Sequence, residues 1–319
     1  MRIREFEDTP QDYEAFAHIM NTVWREPTYT VDDLRQWDEE RLPKFIHHRF
    51  LAEIADQAVG YGSFEHNERF YHPQHFWMRL DVLPDLRQQG IGTQLYDHML
   101  AMLQSEYDAN ELHTITTASR GYSIRFLNKR GFQEDTRDPK SRLDVANFDW
   151  PRFRGLDAQI AAMGIEIKVL SDLMQEDADT LYKVYELHQL LVSEVPEPAE
   201  HTRVDYESWR EGYSSTNPYF IPEANFVALH ETADIGLTSL WGDLSSHRLY
   251  AGMTGVKRAY RRKGIATALK LRTVAFAQVQ GAHLLMTSNN SANPMYQLNL
   301  KLGFQTYDAE IKLVKPMSQ

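Results

Sequence analysis

Apolar and polar residues along this chain follow two rhythms, and the order in which those rhythms succeed one another occurs twice. Residues 2–7 alternate with period two, as a half-buried strand does, and 13–24 carry Phe16, Ile19 and Val23 at helical spacing on one face. A second helix is expected over 31–40. Residues 50–54 and 58–64 read as strands joined by a short polar turn, and 76–82 as a third, which Pro84 ends because proline cannot donate to a ladder. After Gly90 a helix puts Ile91, Leu95, Met99, Met102 and Leu103 on one stripe. Residues 112–117 form the next strand, 123–129 a short helix, and a closing strand pair is expected from Phe132 onward.

After a small, polar stretch over 155–164, bounded by glycines, the order returns. Strands are expected over 165–169, 226–230, 235–241, 250–256, 284–288 and 311–314. Helices are expected over 181–192, 206–213, after Gly264 and over 295–300. This mixture predicts an α/β (α+β) protein in which each half is a mostly antiparallel mixed sheet with helices on both faces.

Two landmarks keep register between the halves. Arg87-Gln88-Gln89-Gly90-Ile91-Gly92 and Arg261-Arg262-Lys263-Gly264-Ile265-Ala266 each follow an apolar strand and open an amphipathic helix. Gly131-Phe132 and Gly303-Phe304 come later, and the spacings agree at 174 (264 − 90) and 172 (303 − 131) residues. Such agreement marks a duplicated domain: 1–154, a linker over 155–164, and 165–319.

Composition narrows the function classes. The 319 residues carry a formal net charge of −11, which repels phosphate backbones and anionic lipid, so neither nucleic acid nor membrane is expected as a partner. Met1 to Glu7 has no apolar signal core and no apolar run approaches a membrane span, so a cytoplasmic location is expected. Cysteine is absent, which removes disulfides, thiolate metal sites and a cysteine nucleophile. Glu65, His66, His72 and His75, like His47-His48, lack the spacing of a helical ligand pair and read as solvated loop residues; no metal is expected. No G-x-S-x-G elbow supports a serine hydrolase.

A strand that stops at a glycine turn and feeds a helix aims several amides at one place, where the helix dipole adds roughly half a positive charge. Such a bend suits a diphosphate. The Walker spacing is missing, and the third glycine of a dinucleotide fingerprint is replaced by Leu95 and Leu269. Val82 to Gly92 resembles instead the acetyl-CoA loop of the GNAT N-acetyltransferase superfamily, and Val256 to Ala266 resembles a second copy. The Gly-Phe pairs resemble that family's second landmark, so the chain looks like a tandem GNAT protein. The resemblance implies that acetyl-CoA is gripped by Val82, Arg87, Gln88, Gln89, Gly90, Ile91, Gly92 and Thr93, and by Val256, Arg261, Arg262, Lys263, Gly264, Ile265 and Ala266. Asn293 and Asn299 complete the contacts expected in the second half. It also implies a splayed, bulged strand at 80–82 and 254–256 whose backbone meets the pantetheine.

Both halves depart from the family pattern. The tyrosine that many members use as the acid is replaced by Leu127 and Asn299, and the glutamate base of histone-type relatives by Phe76 and Tyr250. The second half keeps more polar residues, in Thr287 to Tyr296, and is expected to be the catalytic one, with Tyr250 or Tyr296 as acid and Asp243 relaying a proton through water. Tyr122 is either a substitute acid in the first half or a surface residue at a helix start, and Tyr250 and Tyr296 equally suit core aromatic positions. Asp243 equally suits a turn cap, and Asn293 a helix start before Pro294. Glu194, Glu197, Glu200, Asp205 and Glu207 would attract a cationic acceptor or simply form a solvated face. The expected activity is acetyl transfer to a primary amine of a small molecule or peptide, by direct attack in a ternary complex. The alternatives are a non-catalytic CoA-binding protein, and an aminoacyl transferase, against which the acidity and intact loops argue. Oligomeric state is open.

Overall fold

The computed structural model describes residues 1–24, 29–39, 41–68, 70–195 and 202–317. In chain order the elements are β1 (Arg2–Glu5), α1 (Pro10–Trp24), α2 (Val31–Glu39), β2 (His47–Ile54), β3 (Gln57–Glu65), β4 (His75–Val82), α3 (Ile91–Glu106), β5 (Glu111–Thr117), α4 (Gly121–Asn128) and β6 (Gln133–Asp144). They continue with α5 (Leu156–Ala162), β7 (Ile165–Val169), α6 (Leu170–Glu176), α7 (Thr180–Val192), α8 (Tyr206–Gly212), β8 (Phe226–His230), β9 (Ala233–Trp241), β10 (Arg248–Val256), α9 (Ile265–Val279), β11 (Leu284–Ser288), α10 (Pro294–Lys301) and β12 (Gln305–Pro316). No helix among the described residues is long and apolar enough to cross a membrane.

The chain forms two compact units. The first comprises Met1–Thr116, Arg120–Asp135 and the end of the chain from Lys312; the second comprises Thr117–Ser119 and Thr136–Ile311. In the first unit β1, β2, β3 and β4 form an antiparallel meander, and β5 joins β4 in parallel. Helix α1 covers one face, packing Phe16, Ile19 and Met20 around Leu51 and Tyr61. Helix α3 covers the other with Ile91, Leu95, Met99 and Leu103, all at most 2% exposed, and each such side chain contributes about 1.5–3 kcal/mol of burial. In the second unit β7, β8, β9 and β10 are antiparallel, β11 runs parallel to β10, and β6 pairs antiparallel with β11. There α7 brings Val184, Leu187 and Leu191 against Val227 and Leu237, and α9 brings Ala268 and Leu269 against Ile235 and Phe226.

The element pattern expected from the hydrophobic rhythm holds, with four differences. Within 155–164, expected as a linker, Leu156–Ala162 form helix α5: Gly155 and Gly164, both at positive φ, flank it, and Ile160 is buried against the α9 core. The closing strand pair is one twelve-residue strand, β6. From Thr136 that strand belongs to the second unit, where Lys140 to Asp144 pair with Ser288 to Leu284. Membership of the compact units thus follows pairing along the strand and not sequence order alone. Helix α6 was not expected. Glu40, expected to end α2, lies outside the described residues, as do Glu197 and Glu200.

Candidate functional site

The two glycine turns have the same backbone conformation to within a few degrees. Each starts with a single-turn 3-10 helix, Pro84–Leu86 and Arg258–Tyr260, followed by an extended residue, Arg87 (φ −67°, ψ 161°) and Arg261 (φ −67°, ψ 160°). Gln88 (φ 63°) and Arg262 (φ 64°) then turn left-handed, and Gly90 (φ 85°, ψ −8°) and Gly264 (φ 86°, ψ −4°) cap the helices in the same region. A left-handed residue is costly for anything but glycine, which explains the glycine at the cap. The arginines pin the bends: Arg87 Nε donates to the Val82 carbonyl at 3.1 Å, and Arg261 Nε to that of Val256 at 2.9 Å.

The first backbone bonds of α3 and α9 come from Gln94 to Gly90 and from Ala268 to Gly264. Among the described residues the amides of Gln88 through Thr93 and of Arg262 through Thr267 find no acceptor in the protein. These are the orphan donors of a helix start, concentrated by the left-handed turn into an anion-binding nest. Ile91 and Ile265 are 2% and 1% exposed, so they supply amides to the bend and side chains to the core. Thr93 supplies its amide too, its hydroxyl already accepting from Arg130 at 2.8 Å.

The strands leading into these turns part from their parallel neighbours. β4 pairs with β5 only over 75–77 and 111–113, and β10 with β11 only over 248–250 and 284–286. Each pair therefore opens toward its C-terminal end, where ligands of mixed α/β sheets enter. The bulge expected at 80–82 is absent: β4 keeps unbroken register with β3 from Trp77 to Val82. In β10 the register shifts between Ala251 and Thr254, earlier than expected. Gly252 lies in that irregularity, where a Cβ would come within 2.5 Å of Ser239 Oγ.

The two openings differ in what lines them. In the first unit the charged residues of β4 face α1: Asp81, 5% exposed, accepts from Arg79 Nε at 2.8 Å and from Trp24 Nε1 at 3.0 Å. Arg120, just before α4, stacks 3.6 Å over the Trp24 ring and donates to the Val23 carbonyl at 2.6 Å. Burial pulls Arg79 down, but the Asp81 carboxylate outweighs it and leaves the guanidinium raised; Arg120, which makes no ion pair among the described residues, is lowered by burial. Arg87 lies 4.4 Å over the ring of Tyr122. The spacing of 174 (264 − 90) equates Arg79 and Asp81 with Met253 and Gly255, and a Cβ at Gly255 would meet Leu191 at 3.0 Å. The second opening is thus apolar there, and the Thr287 hydroxyl ties β11 to the Ala251 carbonyl at 3.3 Å.

The bends also differ in their surroundings. The space into which a Cβ of Gly90 would project is open apart from Gln94 Nε2 at 3.9 Å, whereas at Gly264 it holds Leu156 Cδ1 at 2.9 Å. Glu194, 19% exposed, pairs with Arg261 and, at 3.4 Å, with Arg258, so a protein carboxylate occupies the cations beside the second bend. Lys263 sits 5.3 Å from the Tyr260 ring.

The expected acids and base lie on three separate elements. Tyr250 is on β10, opposite Trp241 and Met286, about 20 Å from Val256 at roughly 3.3 Å per residue. Tyr296 is on α10, its hydroxyl 3.1 Å from Thr306 Oγ1. Asp243 caps a 3-10 turn, accepting from the Ser245 amide at 2.8 Å and hydroxyl at 2.6 Å; those bonds hold its carboxyl below the usual range and make it a weak base. Asn293 caps α10 by accepting from the Met295 amide at 2.9 Å. Asn299 is fully buried and donates to Asn289 at 2.6 Å, while its Oδ1 has no partner. Phe76 is fully buried core. The sequence reading missed Arg79, Asp81, Trp24 and Arg120, although two charges on alternate positions of an otherwise apolar strand were a legible signal.

The Acetyltransferase (GNAT) family model matches the chain twice, over residues 13–132 and 184–304. A search of curated proteins found no match. Among solved structures, a tandem GNAT protein from the clavulanic acid biosynthesis pathway aligns with TM-score 0.74 and 17% identity over 100% of this chain and 99% of its own. A GCN5-related N-acetyltransferase from Sphaerobacter thermophilus aligns with TM-score 0.70 and 17% identity over 98% of this chain and 95% of its own. At such identities the likeness is one of fold. Matched in both halves, with the glycine bends, orphan amides and parted strands repeated, the chain belongs to the GNAT acetyltransferase family as a tandem pair.

Proposed function

We propose that the protein is an acetyl-CoA-dependent N-acetyltransferase that acts on a primary amine, and that its donor is held by the first unit. The observation that carries this reading is the bend at Gly90, whose free amides and open side fit a pyrophosphate. At the second bend Glu194 and Leu156 take up part of the equivalent room. Val82, Arg87 and the amides from Gln88 to Thr93 would hold the cofactor, which supplies an activated thioester when bound. A neutral amine entering the opening between β4 and β5 would attack the thioester carbonyl, forming the amide C–N bond as the C–S bond breaks and CoA leaves as thiolate, and the proton of the attacking amine would pass to water in the cleft. Positioning in the cleft contributes much of the rate. Tyr122, beneath the Arg87 guanidinium, is suited to protonate the departing thiolate, and Asp81 to orient the amine through water.

This departs from the expectation that the second half is catalytic, a reading that now rests on Tyr250 and Tyr296 alone. Leu127 and Asn299, standing where the family tyrosine does, favour a second reading in which CoA is bound without turnover. Calorimetric titration with acetyl-CoA and thiol release over an amine panel separate the three. Gly90→Val should abolish binding and thiol release while Gly264→Val retains both. The opposite pattern overturns the assignment to the first unit, and binding without amine-stimulated release overturns catalysis.

A further inference from the structure

The histidines set aside in the sequence separate into two groups once the strands are formed. His66 is structural: its ring stacks on Phe76, Nδ1 accepts from the Ile46 amide, and the other nitrogen bonds the Pro73 carbonyl. His75 is different, since it begins β4 opposite Glu111 of β5, in parallel register that also sets Trp77 beside His113. Side chains alternate along a strand, so His75, Glu111 and His113 share one face.

Their ligating atoms all lie within 4.8 Å of one another: His75 Nδ1 is 3.6 Å and His113 Nε2 is 2.8 Å from the same Glu111 oxygen. The two imidazoles are held from outside. His113 stacks on Trp77 with centroids 5.2 Å apart, and His75 stacks on His72 at 3.8 Å. His72 accepts the Gln74 amide at Nδ1 and walls the site beside the three converging side chains. From this arrangement we infer that His75, Glu111 and His113 form a binding site for one divalent transition ion of the zinc type. Two imidazoles and one carboxylate, with a coordination position left to water, are a donor set such an ion prefers over magnesium or calcium. Binding moves the His113 proton from Nε2 to Nδ1 and puts the ion where the hydrogen bond to Glu111 now lies. The ion would link β4 to β5 over the stretch where the two are paired, just before they part. It is independent of the acetyl-transfer proposal, because no cofactor contact is involved.

The test uses the full chain, freed of any histidine tag and treated with chelator, titrated with Co²⁺ and then displaced by Zn²⁺. The inference expects one Co²⁺ per chain with visible d–d absorption, quenched by one equivalent of Zn²⁺, and a rise in melting temperature on metal addition. Glu111→Gln, close to isosteric, and His113→Ala should each weaken binding at least tenfold and remove the metal-dependent rise, with apo circular dichroism showing that the variants fold. Absence of a stoichiometric Co²⁺ spectrum in the wild type, or binding that survives both substitutions unchanged, overturns it.

Discussion

Lys270 is a cation in the wrong place, and replacing it should stabilise the protein by a calculable amount. The residue sits mid-way along α9, 2% exposed, with its ammonium 5.6 Å from the Phe304 ring centroid. Burial pushes its pKa from the ordinary 10.5 down to about 8. Because the folded value lies below the unfolded one, the folded state binds fewer protons between those pH values, and stability rises with pH across the interval. Above pH 10.5 the residue is neutral in both states and costs nothing; below pH 8 the full cost is present. At about 1.4 kcal/mol per pH unit the cost at pH 7 is about 3 kcal/mol. Lys270→Met keeps the volume and removes the charge, so it should stabilise the second unit by about that much at pH 7 and by nearly nothing at pH 10.5. For a unit of this size that is a melting shift of roughly 6–12 °C. Guanidinium unfolding of both proteins at several pH values from 7 to 10.5 gives the difference directly, since the other titrating groups cancel. A difference that does not change with pH, or a variant less stable at pH 7, would refute the reasoning. The first copy handles the same position differently: it is Tyr96, whose hydroxyl accepts from Lys315 Nζ at 2.8 Å.

Further outcomes follow from the two bends and their surroundings. Glu194→Gln should release Arg258 and Arg261 and raise the affinity of the second bend for acetyl-CoA, read as a second calorimetric site; unchanged stoichiometry and affinity would show that the ion pair is not what occupies it. Gly90→Ala should cost about 1–2 kcal/mol from its left-handed backbone alone, whereas Gly264→Ala should cost more because of Leu156, and adding Leu156→Ala should recover part of the excess in thermal melts. Asp81→Asn should leave Arg79 without its carboxylate and lower stability by about 1–3 kcal/mol, together with any turnover, measured by melting and thiol release. Asn293→Ala, which removes only a helix cap, should lower stability by about 1 kcal/mol and leave acetyl-CoA binding intact.

The sequence by itself determined the duplication, the succession of elements and the two glycine bends. These are local properties: a period of two or 3.6 residues reports which face is buried, and a glycine before a helix reports a left-handed cap, as Gly90 and Gly264 show. The same locality explains the misreadings. Gly155 and Gly164 read as bounding a small polar stretch because Ala158, Ala161 and Ala162 lie between them, and it is the packing of Leu156, Ile160 and Met163 against the α9 core that reveals a helix. Tertiary structure alone decided which unit β6 completes, since a strand's alternation names a face but not a neighbour. It alone set Leu156 against Gly264 and Glu194 on Arg261, and gathered Trp24, Asp81 and Arg120 around the first opening. Those residues are separated by tens of positions along the chain, and nothing in local spacing encodes which distant side chain will meet a given bend. The two copies therefore looked alike in sequence at the bends and differ in what the rest of the fold brings to them.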